Sequence, residues 1–201
     1  MDPATDSLLA DLDRAPVCVE VDGEIPGKPM RHPILIPGSF NPLHEGHWRL
    51  AKVAEELLGG PAAFELSVTN VDKLPLSGPE IRRRLAQFHQ KAPVWLTRAP
   101  TFLEKAALFP GTVFGVGADT AARIVSARYY GTHEEEMTGA LNEIRLRRCR
   151  FLVAGRVNDR GQFHGLEELA IPAGFRDLFQ GIPEHLFRVD VSSTRLRQQK
   201  G

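Results

Sequence analysis

His44 and His47 stand three residues apart, directly behind Gly38-Ser39-Phe40-Asn41-Pro42-Leu43. At that spacing both imidazoles project from one face of a first helical turn. Held there, they can donate hydrogen bonds to phosphate oxygens as negative charge moves during phosphoryl or nucleotidyl transfer. The same pair is compatible with surface or capping histidines. It is also compatible with two ligands of a zinc site, although no third ligand motif accompanies it. Near the other end of the chain, Ser192, Ser193 and Thr194 precede Arg197. Hydroxyl clusters of this kind cap helices. They also suit phosphate, because hydroxyls and free helix N–H groups point the same way. Arg197, one turn on, can clamp an outer phosphate with its fork of donors, while Arg195 points elsewhere on the helix.

A third cluster is Gly115-Val116-Gly117-Ala118-Asp119. Gly117 at a strand end permits close approach of a ligand, and Asp119 can accept hydrogen bonds from ribose hydroxyls or cap the helix that follows. Lys73, Arg82, Arg83 and Arg84 offer positive charge that either faces water or meets an anion.

These residues need elements to hold them. Ile34 to Ile36 reads as a short buried strand, Gly38 to Leu43 as a tight loop, and the stretch carrying Leu50, Val53, Ala54, Leu57 and Leu58 as a helix stopped by Gly59-Gly60. A strand, loop and helix N-terminus in that order place unpaired N–H groups and the positive end of the helix dipole at the carboxyl edge of a sheet, where an anion is favoured. Gly38 lets the backbone approach it or take an unusual dihedral, and Pro42 stiffens the loop.

Further strands are expected at Phe64 to Val68, Val94 to Leu96, Thr112 to Val116 as a central strand, and Phe151 to Ala154. Capping-box patterns at Ser77–Glu80 and Thr101–Glu104 open helices through Phe88 and to about Leu108. Another helix follows through Ala122, Ile124 and Val125. Residues 133–150 run from acidic to basic and read as a solvated surface helix. The alternation predicts an α/β fold: a mostly parallel sheet with helices on both faces and right-handed crossovers, with ligands beyond the carboxyl ends of the strands.

The expected division is an N-terminal extension, 1–32, and a single domain, 33–201. In the extension Ser7 to Leu12 can form a helix and Val17 to Val21 a strand before Asp22-Gly23, packed on the domain. With 25 basic and 25 acidic residues the net charge is zero, which disfavours a general nucleic-acid or membrane-surface binder and leaves anion capture to a local pocket. Cys18 and Cys149 are too few for a disulfide scaffold. No apolar run approaches the roughly 18 residues that span a bilayer, and Met1-Asp2-Pro3 does not read as a signal peptide. The expectation is a cytoplasmic protein with no membrane and no nucleic-acid partner.

Gly38 through His47, taken with Val191-Ser192-Ser193-Thr194-Arg195-Leu196-Arg197, resembles the two signatures of the HxGH nucleotidyltransferases. That superfamily includes nicotinamide mononucleotide adenylyltransferase, phosphopantetheine adenylyltransferase and the small cytidylyltransferases. The resemblance covers roughly Pro33 to the C-terminus. It implies a Rossmann-like domain that transfers AMP from ATP to a small phosphate-bearing acceptor and releases pyrophosphate. In that reading His44 and His47 hold the α- and β-phosphates, and Gly38, Ser39, Phe40 and Asn41 form the loop. Ser192, Ser193, Thr194 and Arg197 take the outer phosphates, and Mg²⁺ arrives carried by ATP with no protein metal site. Gly117-Ala118-Asp119 is similar to the segment that contacts the nucleotide sugar in nicotinamide mononucleotide adenylyltransferases, so nicotinamide or nicotinate mononucleotide is the expected acceptor. A Trp followed by an acidic residue would have added to that resemblance, but Leu96 follows Trp95. Cytidylyl transfer, a phosphopantetheine-type acceptor, a nucleotide-binding module without turnover and a metal-dependent hydrolase stand as alternatives. A homo-oligomer is compatible with the sequence.

Overall fold

The computed structural model describes residues 11–12, 15–19, 33–69, 71, 74–131, 133–158 and 161–188. In chain order these form β1 (Val17–Val19), β2 (Ile34–Pro37), α1 (Glu45–Leu58), β3 (Ala62–Ser67), α2 (Gly78–Leu85), β4 (Val94–Thr97) and α3 (Phe102–Leu108). There follow β5 (Val113–Gly117), α4 (Ala118–Ile124), α5 (Glu134–Leu146), β6 (Arg150–Ala154), the hairpin β7 (Arg156–Val157) and β8 (Phe163–His164), and β9 (Phe179–Gly181). Short 3₁₀ turns link several of them.

The main sheet has seven strands in the order β1-β4-β3-β2-β5-β6-β9. Every neighbouring pair is parallel except the antiparallel edge β1–β4. Counting only the parallel strands in chain order, the arrangement is 3-2-1-4-5-6, the doubly wound order in which ligands gather where the winding reverses. That reversal lies between β2 and β5, so the loop leaving β2 emerges at the switch point.

Successive residues of a strand point to opposite faces. Ile34 and Ile36 join Leu50, Val53, Phe64, Leu66 and Leu96 in one core, while Leu35 joins Trp95, Phe114, Phe151 and Val153 in the other. Both faces are covered, which is why the strands read as continuous apolar runs. Within α1, Leu50, Ala51, Val53 and Ala54 are buried, and Gly59 closes the helix in the left-handed region at φ 71 with its N–H donating to Glu55 O.

Several expectations change. The third strand begins at Ala62 rather than Phe64 and ends at Ser67. Its two alanines have little strand preference, but parallel pairing of Ala62 with Ile34 and of Ala63 with Leu35 recruits them. The 133–150 stretch is not solvated all round: Met137, Ala140, Leu141 and Ile144 of α5 are buried on the sheet. Missing from the sequence reading were the β7–β8 hairpin and the three-residue β9, too short to show a period. β1 pairs Val17 with Leu96 and Val19 with Val94. The remainder of its expected span and most of the expected 7–12 helix lie outside the described residues. No helix among the described residues is long and apolar enough to cross a membrane.

Candidate active site

The loop from Gly38 to His44 is held by its own aromatic and by α2. Gly38 N–H donates to Glu65 O at 3.0 Å, prolonging the β2–β3 ladder. Phe40 is fully buried and sits at φ 46, a left-handed conformation that a bulky residue keeps only when packing enforces it. Its ring meets those of His47, Phe64 and Phe88 edge-on at 5.1, 5.6 and 5.0 Å. A Cβ on Gly38 would lie 2.6 Å from that ring. Glycine is therefore required at position 38 for the Phe40 ring, and its φ is outside the left-handed region. Phe40 backs His47; only its backbone faces the loop.

Four bonds from the α2 segment fix the loop from outside. Arg84 Nη1 donates to Ser39 O at 2.7 Å, Arg83 Nη2 to Asn41 Oδ1 at 2.7 Å and Gln87 Nε2 to Phe40 O at 2.9 Å. Leu43 N–H donates to Gln87 Oε1 at 2.8 Å. Glu80 holds both arginines in place, and their guanidinium groups pull its carboxyl down to about 2. Arg83 and Arg84, read from the sequence as surface charge or anion contacts, thus brace the loop. Gln87 carried no sequence signal.

His44 is the N-cap of α1 and His47 lies one turn in. Their rings are 3.9 Å apart between centroids and tilted by 32°. His44 N–H donates to His47 Nδ1 at 3.2 Å, so that nitrogen is an acceptor and the neutral ring carries its proton on Nε2. Burial, and secondarily the charge of His44, lowers His47 to about 3, while burial alone lowers His44. Both imidazoles are neutral near pH 7. His44 Nδ1 is buried without a hydrogen-bond partner, an unsatisfied polar atom at the helix start.

A cavity of ≈540 Å³ lies along the carboxyl ends of β2 and β3. Gly38, Ser39 and Asn41 form part of its wall, with Glu65 and Ser67 from β3, Phe102 and Lys105 from α3, and Thr120 and Arg123 from α4. The two imidazoles are not in that wall. Inside it lies a buried network that the sequence reading missed. Lys105 Nζ donates to Glu65 Oε1 at 2.8 Å and to Ala99 O at 2.7 Å, and Thr97 Oγ1 donates to Glu65 Oε1 at 2.5 Å. A glutamate inside an otherwise apolar strand, Phe64-Glu65-Leu66, was the available signal; nothing in the sequence marked Lys105.

Gly117 is exposed at the N-cap of α4, with open space where a side chain would be. Asp119, in the first turn, accepts from Arg156 Nη1 at 2.7 Å and is largely exposed. Trp95 is buried in the second core, edge-on to Phe109 at 5.3 Å. Ser192, Ser193, Thr194 and Arg197, like Lys73, lie outside the described residues. Among the described residues no three His, Cys, Asp or Glu gather closely enough to hold a metal.

No curated protein matches the chain. A family model described as cytidylyltransferase-like matches residues 35–199, from the second residue of β2 through the Ser-Ser-Thr-x-x-Arg segment. A match over that length, on a doubly wound sheet whose switch-point loop leads into the two histidines, shows that the chain belongs to the cytidylyltransferase-like family of nucleotidyltransferases.

Proposed function

We propose that this nucleotidyltransferase moves the AMP moiety of MgATP onto the phosphate of nicotinamide or nicotinate mononucleotide. The observation that carries the reading is the helix start at His44. Two neutral imidazoles, tilted ring against ring, stand at the positive end of a 14-residue helix, next to a braced loop that also walls a cavity. Helix N–H groups and imidazole N–H donors stabilise charge on phosphate oxygens without adding a proton to them.

An oxygen of the acceptor phosphate attacks the α-phosphorus of ATP, the bond from that phosphorus to the bridging oxygen breaks, and pyrophosphate leaves with the electron pair. No side chain acts as nucleophile; positioning and charge stabilisation lower the barrier. His44 and His47 hold the α- and β-phosphates, and Ser192, Ser193, Thr194 and Arg197 hold the outer ones. Asp119 takes the ribose hydroxyls by exchanging its exposed bond to Arg156 for them. Mg²⁺ enters with the triphosphate. Arg123 brings positive charge to the acceptor side of the cavity.

A second reading, CMP transfer from CTP, is favoured by the description of the matching family model. Pyrophosphate release measured with ATP and with CTP, each against nicotinamide mononucleotide, nicotinate mononucleotide, phosphopantetheine and phosphocholine, separates the two. Turnover with ATP and a pyridine mononucleotide is expected. Turnover only with CTP would replace the first reading by the second. Tight ATP binding with no pyrophosphate from any acceptor would leave a binding module.

A further inference from the structure

We infer that the Glu65–Lys105 pair is the reading head of the cavity and that the group it reads is a primary carboxamide. This rests on the acceptor reading proposed above, with the acceptor phosphate at the Gly38–Asn41 loop, and it chooses nicotinamide over nicotinate mononucleotide.

Glu65 and Lys105 both line the cavity and are 1 % and 5 % exposed. Glu65 Oε1 already accepts from Lys105 Nζ at 2.8 Å and from Thr97 Oγ1 at 2.5 Å. Glu65 Oε2 is buried and has no hydrogen-bond partner among the described residues. Lys105 Nζ carries three N–H bonds, of which one goes to Glu65 Oε1 and one to Ala99 O. The pair therefore holds one unused acceptor and one unused donor. A buried carboxylate oxygen left unpaired is unfavourable, and an incoming N–H donor relieves it.

A carboxamide carries an N–H donor and a C=O acceptor on one carbon, and so completes both groups at once. A carboxylate in the same place brings two acceptor oxygens to Glu65 Oε2 with no proton between them, and like charges in a dry site repel. Both side chains line the cavity but are nearly sealed, so the group that meets them is taken to be small and terminal rather than a fused base. Phe102, three residues before Lys105 on α3, lines the same cavity and offers aromatic surface to a cationic pyridinium ring.

The test is a calorimetric titration of the full chain, in the presence of a non-hydrolysable MgATP analogue, with two matched pairs of ligands. One pair is nicotinamide and nicotinate mononucleotide; the other is benzamide and benzoate, which carry the same two tips without ribose phosphate. The amide of each pair is expected to bind at least about tenfold more tightly. Equal affinities, preference for the acid, or no binding by any of the four overturns the inference. Preference for benzamide with neither mononucleotide bound keeps the carboxamide site and removes the mononucleotide acceptor.

In Glu65→Gln a donor replaces the unused acceptor and Lys105 loses its counter-charge, so the preference should move at least about tenfold toward the acid. A folded Glu65→Gln protein that keeps the amide preference overturns the assignment to Glu65. Should that variant fail to fold, the double variant Glu65→Gln with Lys105→Gln removes both charges at similar volume. Its amide and acid affinities should come within about threefold of each other, and an undiminished preference there overturns the assignment equally.

Discussion

Dryness makes the His44–His47 pair chemically useful. An exposed imidazole would be partly protonated near neutrality, but burial and the neighbouring ring lower His47 to about 3. It is therefore a neutral ring with a fixed tautomer, and in the proposed mechanism it would meet phosphate as a donor. Removing such a donor should raise the barrier by about 2.7 to 4 kcal/mol, so His47→Ala is expected to lose roughly 10²- to 10³-fold in kcat for pyrophosphate release. A wild-type rate would end the assignment of that role.

The same lowering has a consequence for stability, because the folded state disfavours the protonated imidazole. The contribution of His47 is complete above the ordinary value of 6.5 and is lost as pH falls from there toward about 3. Within that window the unfolded chain takes up a proton that the folded chain does not, a slope of up to about 1.4 kcal/mol per pH unit. Burial moves His44 in the same direction. Urea unfolding of wild type and His47→Asn at several pH values should show a shallower acid loss in the variant. Identical slopes would mean that His47 is not held neutral by the fold.

Among the elements, α1 supplies the dipole and α2 with its 3₁₀ continuation fixes the loop that meets it. Gln87 is central to this, accepting from Leu43 N–H and donating to Phe40 O with one amide. Gln87→Met would leave a loop N–H unpaired and free the segment between Phe40 and Leu43. The expected cost is about 1 to 3 kcal/mol of unfolding free energy. A fall in kcat larger than the fall in substrate affinity is expected as well, because a misplaced reactant costs more in the barrier than in binding. Unchanged kinetics and stability in that variant would show that the brace is dispensable. Of the two expected capping boxes, Thr101 with Glu104 closes in full, while Glu80 turns to Arg83 and Arg84. The helix starts at Ser77 and Thr101, the Gly59 stop and the alternation of elements were all legible, since each is a local rule. The brace was not, because Gln87 meets the loop 44 positions away in sequence at Leu43.

Across the whole molecule, the 3-2-1-4-5-6 winding places the β2 loop at the point where the sheet reverses direction. The transferase reading further requires the first signature and the distant Ser-Ser-Thr-x-x-Arg segment to grip one triphosphate. A double-mutant cycle on His47→Ala and Arg197→Ala, followed by kcat/KM for ATP, tests that directly. Residues sharing a bound phosphate chain should couple by about 0.5 to 3 kcal/mol, whereas remote sites add within about 0.3 to 0.5 kcal/mol. Additive losses would separate the two signatures in space and remove the single-pocket mechanism.

The sequence by itself determined the α/β class, the strand-loop-helix around Gly38 and the two histidines, because period, caps and turn residues act over a few positions. Tertiary structure decided which groups share a cavity. The ring of Phe40 is a strut because it fills the space beside Gly38. Arg83 and Arg84 hold the loop. Glu65 and Lys105, 40 residues apart, become a buried pair only when β3 and α3 pack together. No local pattern encodes such a meeting, because it depends on strand order and on which face of a helix turns inward.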